Sequence, residues 1–254
     1  MKIDKVVMVP ILLLSAVFLT SCFLTNMATS ALTKAAGTAA ATDGNLQVPA
    51  LAPTEYRAPA ATALATVNKA AGNVLFSDDF SDPSSGWNST TTENGSTDYA
   101  DGTYAIIVTS PNYELWANPG RDFTDVSIET DATKVAGPDD NDFGLICRYQ
   151  DVDNYYFSEI ASDGYYVFGA VKGGALTYLD SDSMIETGLV YAGSETNHLR
   201  LDCNGNTLTL YINGTLAGTA SDSDYSSGDV GLVAGSYDTA GVDIAFDNFV
   251  VSKP

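Results

Sequence analysis

Apolar and polar residues alternate along most of the chain beyond residue 74, which is the period of a half-buried strand. The clearest run is 142–171. Within it, 143–150 sets Phe143, Leu145, Cys147 and Tyr149 on one face and Gly144, Ile146, Arg148 and Gln150 on the other. Asp151, Val152, Asp153 and Asn154 then interrupt the strand, as Asp and Asn do by bonding their own backbone. Residues 155–161 make a second strand, Ser162, Asp163 and Gly164 turn the chain, and 165–171 make a third. The same pattern predicts strands at 74–80, 87–91, 97–101, 104–109, 113–117, 126–135, 176–179, 198–203, 208–212, 216–220, 230–234 and 242–251. No segment sustains a helical period. Many short strands separated by regular turn signals predict an all-β sandwich or jelly roll of two antiparallel sheets over residues 74–254.

The first 73 residues follow different rules. Lys2 and Lys5 precede an apolar run at 6–18, too short to span a bilayer but suited to a signal peptide. Leu19, Thr20, Ser21 and Cys22 come next and resemble the lipobox of bacterial lipoproteins. That resemblance implies a signal peptide at 1–21, lipidation of Cys22, and export with a lipid anchor in the membrane at the outer face of the cell envelope. Residues 22–73 are rich in Ala, Thr and Pro and poor in aromatics, a composition expected of a flexible tether.

Charge narrows the partners. Eleven Lys and Arg face 32 Asp and Glu, a formal net charge of −21. Nucleic acid is therefore not an expected ligand, because neutralising phosphate needs a basic surface. With Cys22 assigned to lipid, Cys147 and Cys203 remain, on strands expected to be neighbours. Outside the reducing cytoplasm they are expected to pair as a disulfide, the other reading being two buried thiols.

The order FSDDFSDPSSGW, GLICRYQDVDNYYF, SDGYYVFG, the LRLDC and LTLYINGTL hairpin, GDVGLVAG and a closing AFDNFVV resembles the concanavalin A-like lectin and glucanase jelly rolls. It is closest to the laminin-G-like and keto-disaccharide-hydrolase-like domains of secreted bacterial proteins. The resemblance implies a carbohydrate ligand and leaves three functions open. The first is non-catalytic lectin-like binding, the second glycoside hydrolysis, and the third an adhesion module contacting extracellular protein.

Each of these functions calls for particular chemistry. Glucanases of this fold carry Glu-x-Asp-x-x-Glu along one strand. The nearest match is Glu129, Thr130, Asp131, Ala132, Thr133 and Lys134, where Lys134 replaces the second Glu, which argues against glucanase activity. His198 has no partner His for a metal and no evident catalytic set. Asp78 and Asp79 on the first strand and Asp247 and Asn248 on the last would meet if those strands pair, as oxygen ligands for a structural Ca²⁺. The run Asp139, Asp140, Asn141 and Asp142 reads as a solvated loop or a second Ca²⁺ site. For the ligand surface, Trp116, Tyr155, Tyr166 and Tyr211 are expected stacking platforms. Arg148, if it faces away from Cys147, is an expected sugar contact that Glu159 can pair with. The competing reading makes these rings core and Arg148 part of a structural ion pair.

Overall fold

The computed structural model describes residues 73–254. The signal peptide, Cys22 and the 22–73 tether lie outside the described residues. Sixteen strands and no helix make up the described part. They form two antiparallel sheets facing each other across one core, as the alternation predicts.

The nine-stranded sheet contains β1 (Val74–Asp78), β2 (Thr90–Thr92), β3 (Gly95–Ala100), β4 (Thr103–Val108), β6 (Val126–Ala136), β12 (Asn197–Asn204), β13 (Thr207–Ile212), β14 (Thr215–Ser221) and β16 (Val242–Ser252). Its order is β14-β13-β12-β6-β16-β4-β3-β2. The first and last strands do pair: β16 gives its first half to β4 and its second half to β1, with Asp78 opposite Phe249.

The seven-stranded sheet contains β5 (Tyr113–Ala117), β7 (Asp142–Asp151), β8 (Asn154–Ala161), β9 (Tyr165–Lys172), β10 (Ala175–Tyr178), β11 (Ile185–Glu186) and β15 (Asp229–Ser236). Its order is β10-β9-β8-β7-β15-β5, with β11 beside the start of β9. Two details differ from the sequence reading. The strand expected at 87–91 shrinks to Thr90–Thr92, because Trp87 leaves the sheet to fill the core, and β11 is too short to show a period.

Alternation decides what faces inward. Phe143, Leu145, Cys147, Tyr156, Ile160, Phe168, Leu232 and Ala234 meet Ile106, Ile128, Leu199, Leu201, Leu210, Ile244 and Phe246 of the other sheet. At one end Trp87 packs edge-on to Phe249 and Phe80, with ring centroids 4.9 and 5.3 Å apart. Cys147 and Cys203 are both fully buried and joined by a disulfide. They were expected on neighbouring strands. Instead β7 and β12 belong to opposite sheets, so the bond crosses the core and ties one sheet to the other. Such a bond belongs to a protein folded outside the reducing cytoplasm.

One break in the alternation matters for function. Arg148 has φ 53°, and β7 slips register between Cys147 and Asp151. This bulge puts an extra residue in the strand and reverses the facing of the residues beyond it. Tyr149, expected in the core with Leu145 and Cys147, emerges on the outer face of the sheet.

Candidate functional site

The outer face of the seven-stranded sheet is lined by the residues that alternate with the core set. Ile146, Tyr155, Phe157, Val167, Val171 and Val233 form a second apolar cluster there, joined by half-buried Trp116, Tyr149, Tyr178 and Met184. These six side chains are no more than 1% exposed, so the outer face is a second buried apolar layer in place of the polar face that water favours. The rings are ordered into a wall. Trp116 lies 6.0 Å from Tyr155 and Tyr149 lies 5.7 Å from it, centroid to centroid. Tyr155 is buried beneath, while Trp116 and Tyr149 remain half exposed above.

Three carboxyl groups share this face at the other end. Glu159 of β8 sits opposite Gly144 of β7, which sits opposite Val233 of β15, which sits opposite Trp116 of β5. One row along, Glu114 of β5 sits opposite Gly235 of β15, and the Asp142 carboxylate of β7 lies over Gly235. The two glycines make this arrangement possible. A Cβ on Gly235 would lie 2.3 Å from Asp142 Oδ1, and one on Gly144 would lie 2.0 Å from the Ser158 carbonyl oxygen. The first would make the Asp142 carboxylate shift, and the second is a clash with backbone. Gly144→Ala is therefore expected to lower stability by about 1–3 kcal/mol, because backbone rather than a flexible side chain must yield. An unchanged urea midpoint would contradict this geometry.

Electrostatics follow from burial. Glu159 is 4% exposed, and its Oε1 has no partner; the buried Oε1 of Glu114 has none either. Desolvation, helped by the charge of Asp142, pushes Glu114 up to about 8. Desolvation and the neighbouring Asp142 and Glu114 push Glu159 well above the usual carboxylate range. Asp142 is raised less, to about 6, since burial is partly offset by the Tyr237 hydroxyl donating to Oδ2 at 2.8 Å. The same hydroxyl lies 3.5 Å from Met184 Sδ, which packs on this apolar floor. Burial thus favours the protonated form of Glu114 and Glu159 more strongly than that of Asp142.

All six Lys and Arg of the described residues lie away from this face or are engaged elsewhere. Arg148 was expected beside Glu159. The bulge instead turns its buried guanidinium to the Tyr225 carbonyl at 2.7 Å and Asp125 at 3.2 Å, the structural ion pair of the competing reading. Lys134 meets Asp139, Lys172 meets Asp222 and Asp224, and Arg200 meets Asp202. Arg121 lies over the Phe76 ring, and Lys253 is next to the chain end.

The remaining expected site residues go to other places. Trp116, Tyr155 and Glu159 come together on the outer face. Tyr166 points into the core and donates to the Ala217 carbonyl. Tyr211 lies on the nine-stranded sheet under the Arg200 guanidinium. The four oxygen ligands expected for Ca²⁺ do not converge. Asp78 accepts from the Trp87 indole at 3.0 Å, from the Phe80 amide and from Ser85. Asp79 caps Ser81, Asp247 Oδ1 accepts from the Asn248 amide, and Asn248 donates to Asp131. Among the described residues no group of three or more His, Cys, Asp and Glu gathers for a metal ion. His198, read as isolated, lies between Asp131 at 2.8 Å and Glu129 at 3.7 Å on the nine-stranded sheet, and these partners raise it to about 9. Glu129 and Asp131 therefore belong to the opposite sheet from the carboxyl cluster.

Glu114, Asp142 and Tyr149 were missed as site residues. Glu114 and Asp142 carry only the weak signal of carboxylates in strands, and Tyr149 is turned outward by the bulge at Arg148.

No family model matches the sequence, and no curated protein matches it. Solved structures do match. A Bacillus subtilis protein of unknown function with a galectin-like fold superposes with TM-score 0.54 at 14% identity, over 72% of this chain and 96% of that one. The Bacillus licheniformis beta-glucanase gives TM-score 0.52 at 15% identity, over 70% and 97%. A Bacteroides ovatus mixed-linkage glucan GH16 protein, in complex with a G4G4G3G product, gives 0.51 at 14%, over 70% and 100%. The described part of the chain thus has the jelly-roll sandwich fold of these structures.

Proposed function

We propose that the outer face of the seven-stranded sheet binds a saccharide. One observation carries this: half-exposed Trp116 shares a strand row with Glu159 and stands two residues from Glu114 on β5, while Tyr149 continues the aromatic wall away from the carboxyl groups. Sugar rings present C–H faces that pack on aromatic rings, and hydroxyls that both donate to and accept from carboxyl groups. A site with an apolar lining and a few convergent polar groups is the general form of a small-ligand site. The beta-glucanase and GH16 likenesses agree with a carbohydrate ligand. The disulfide and the signal-peptide pattern agree with export, and lipidation of Cys22 would hold the domain at the envelope surface.

A glycan array probed with the full chain tests this reading, with Ca²⁺ and with EDTA. Binding to a defined sugar class, unchanged by EDTA and lowered at least tenfold by Trp116→Ala, is the expected result. Binding that survives Trp116→Ala, or no binding at all, would overturn it in favour of an adhesion surface elsewhere on the sandwich.

One observation favours hydrolysis as a second reading. Glu114 and Asp142 flank Gly235 on one face, and burial raises the Glu114 carboxyl further than that of Asp142, the kind of unlike pair that glycoside hydrolysis asks of its two carboxyl groups. Release of reducing ends from a bound glycan, abolished by Asp142→Asn, would establish it. Intact glycan after prolonged incubation would leave binding alone.

A further inference from the structure

We infer that the saccharide taken by this face carries a free amine, and that its ammonium group sits among Glu114, Asp142 and Glu159. This rests on the saccharide reading and narrows it to one substrate class. Three observations support it. First, three carboxyl groups from β5, β7 and β8 converge on one apolar face, and every Lys and Arg of the described residues is away from it or engaged elsewhere. Second, Glu159 is more than nine-tenths buried with Oε1 unpartnered, and the buried Glu114 Oε1 is unpartnered as well. Buried polar atoms in native proteins ordinarily have partners, so two orphaned acceptors on one face mark a place where a donor belongs. Third, Gly235 leaves the space between Glu114 and Asp142 free of a side chain, and a Cβ there would meet the Asp142 carboxylate.

The choice of donor follows from charge. A neutral hydroxyl supplies one proton to one acceptor and leaves the acid–acid repulsion in place. An ammonium group supplies three donors and a positive charge. It meets the orphaned oxygens and favours the ionised form of acids that burial alone disfavours. Charge-assisted bonds of this kind are roughly twice as strong as neutral ones. Trp116, on the strand row of Glu159, is the ring on which a sugar attached to the ammonium would stack, with Tyr149 extending the wall further along the face.

Three tetrasaccharides of one linkage isolate the group: β-1,4-linked glucosamine, N-acetylglucosamine and glucose differ only at C2, as ammonium, acetamide and hydroxyl. Titration calorimetry of the full chain in mildly acidic buffer is expected to show glucosamine binding at least tenfold tighter than the other two. Glu159→Gln and Glu114→Gln should shrink that preference to within about twofold. Asp101→Asn, on the distant β3–β4 turn, should leave it intact, which separates the site from the general pull of an acidic protein. Equal affinity for all three would overturn the amine inference while leaving the saccharide reading standing. Binding of none would overturn the inference, and the array would then decide the broader reading. Tetralysine binding as tightly as the glucosamine oligomer would also overturn it, because charge alone would then suffice.

Discussion

Replacing both halves of the bridge, Cys147→Ala with Cys203→Ala, is expected to lower the stability of the domain by about 4 kcal/mol. The bond closes a loop of 56 residues between the two cysteines. The loss of chain entropy in the unfolded state from a loop of that size is about 4 kcal/mol at 25 °C. For a domain of this length each kcal/mol moves the melting temperature by about 2–4 °C, so the midpoint should fall by about 8–16 °C. Alanine is the right replacement because both sulfurs are fully buried among Leu, Ile and Val, where a serine hydroxyl would lack a partner. The location adds to the effect. The bond joins β7 to β12, strands of opposite sheets that share no backbone hydrogen bonds. Without it, the sheets are held together by side-chain packing. Thermal melts of the parent, of the reduced parent and of the double variant check this. A fall in midpoint of under about 3 °C would mean that the unfolded chain is already compact without the bond.

The parts of this molecule that could be read from sequence are those set by local alternation. The strands of 142–171, the hairpin of β12 and β13, and the inward faces of β6 and β16 follow from a period of two and from Asp, Asn and Gly turns. Arg148 could not be read in that way. A non-glycine residue with positive φ carries no local signal, yet it turns Tyr149 outward and sends the guanidinium to Asp125 instead of Glu159. Neither could the carboxyl cluster. Glu114 and Asp142 are brought together because β15, more than a hundred residues beyond β5, inserts between β5 and β7. Sequence reading placed Asp142 in an acidic loop, whereas it is the first residue of β7. The residues expected as Ca²⁺ ligands lie apart for a related reason. The strands carrying Asp78 and Asn248 do pair, but alternation turns Asp78 inward to the Trp87 indole while Asn248 reaches Asp131. Pairing fixes which backbones meet, and facing fixes which side chains do.

Glu114→Gln is expected to stabilise the protein at neutral and alkaline pH and to do nothing at pH 4. The sign follows from linkage. Burial raises the folded-state carboxyl from 4.5 to about 8, so between those limits the folded state holds a proton that the unfolded state has released. Stability falls with rising pH wherever the folded state binds more protons. The Glu114 contribution is therefore fully present below about pH 4.5, declines through pH 6 and 7, and is lost by pH 8. Each unit is worth about 1.4 kcal/mol, so by pH 7 the parent has lost about 3 kcal/mol that a neutral amide does not lose. Asp142 and Glu159 face Glu114 and are raised by the same burial, so the parent should show a steeper decline than Glu114 alone produces. Taking the difference between parent and variant at each pH removes the groups shifted the other way, such as Asp131 and Asp222. Urea unfolding of both proteins at pH 4, 6 and 8 provides the measurement. Parallel pH profiles would mean that Glu114 is ionised in the folded protein and already has a counter-charge. A widening gap toward pH 8 would establish a face that holds buried acids without a cation.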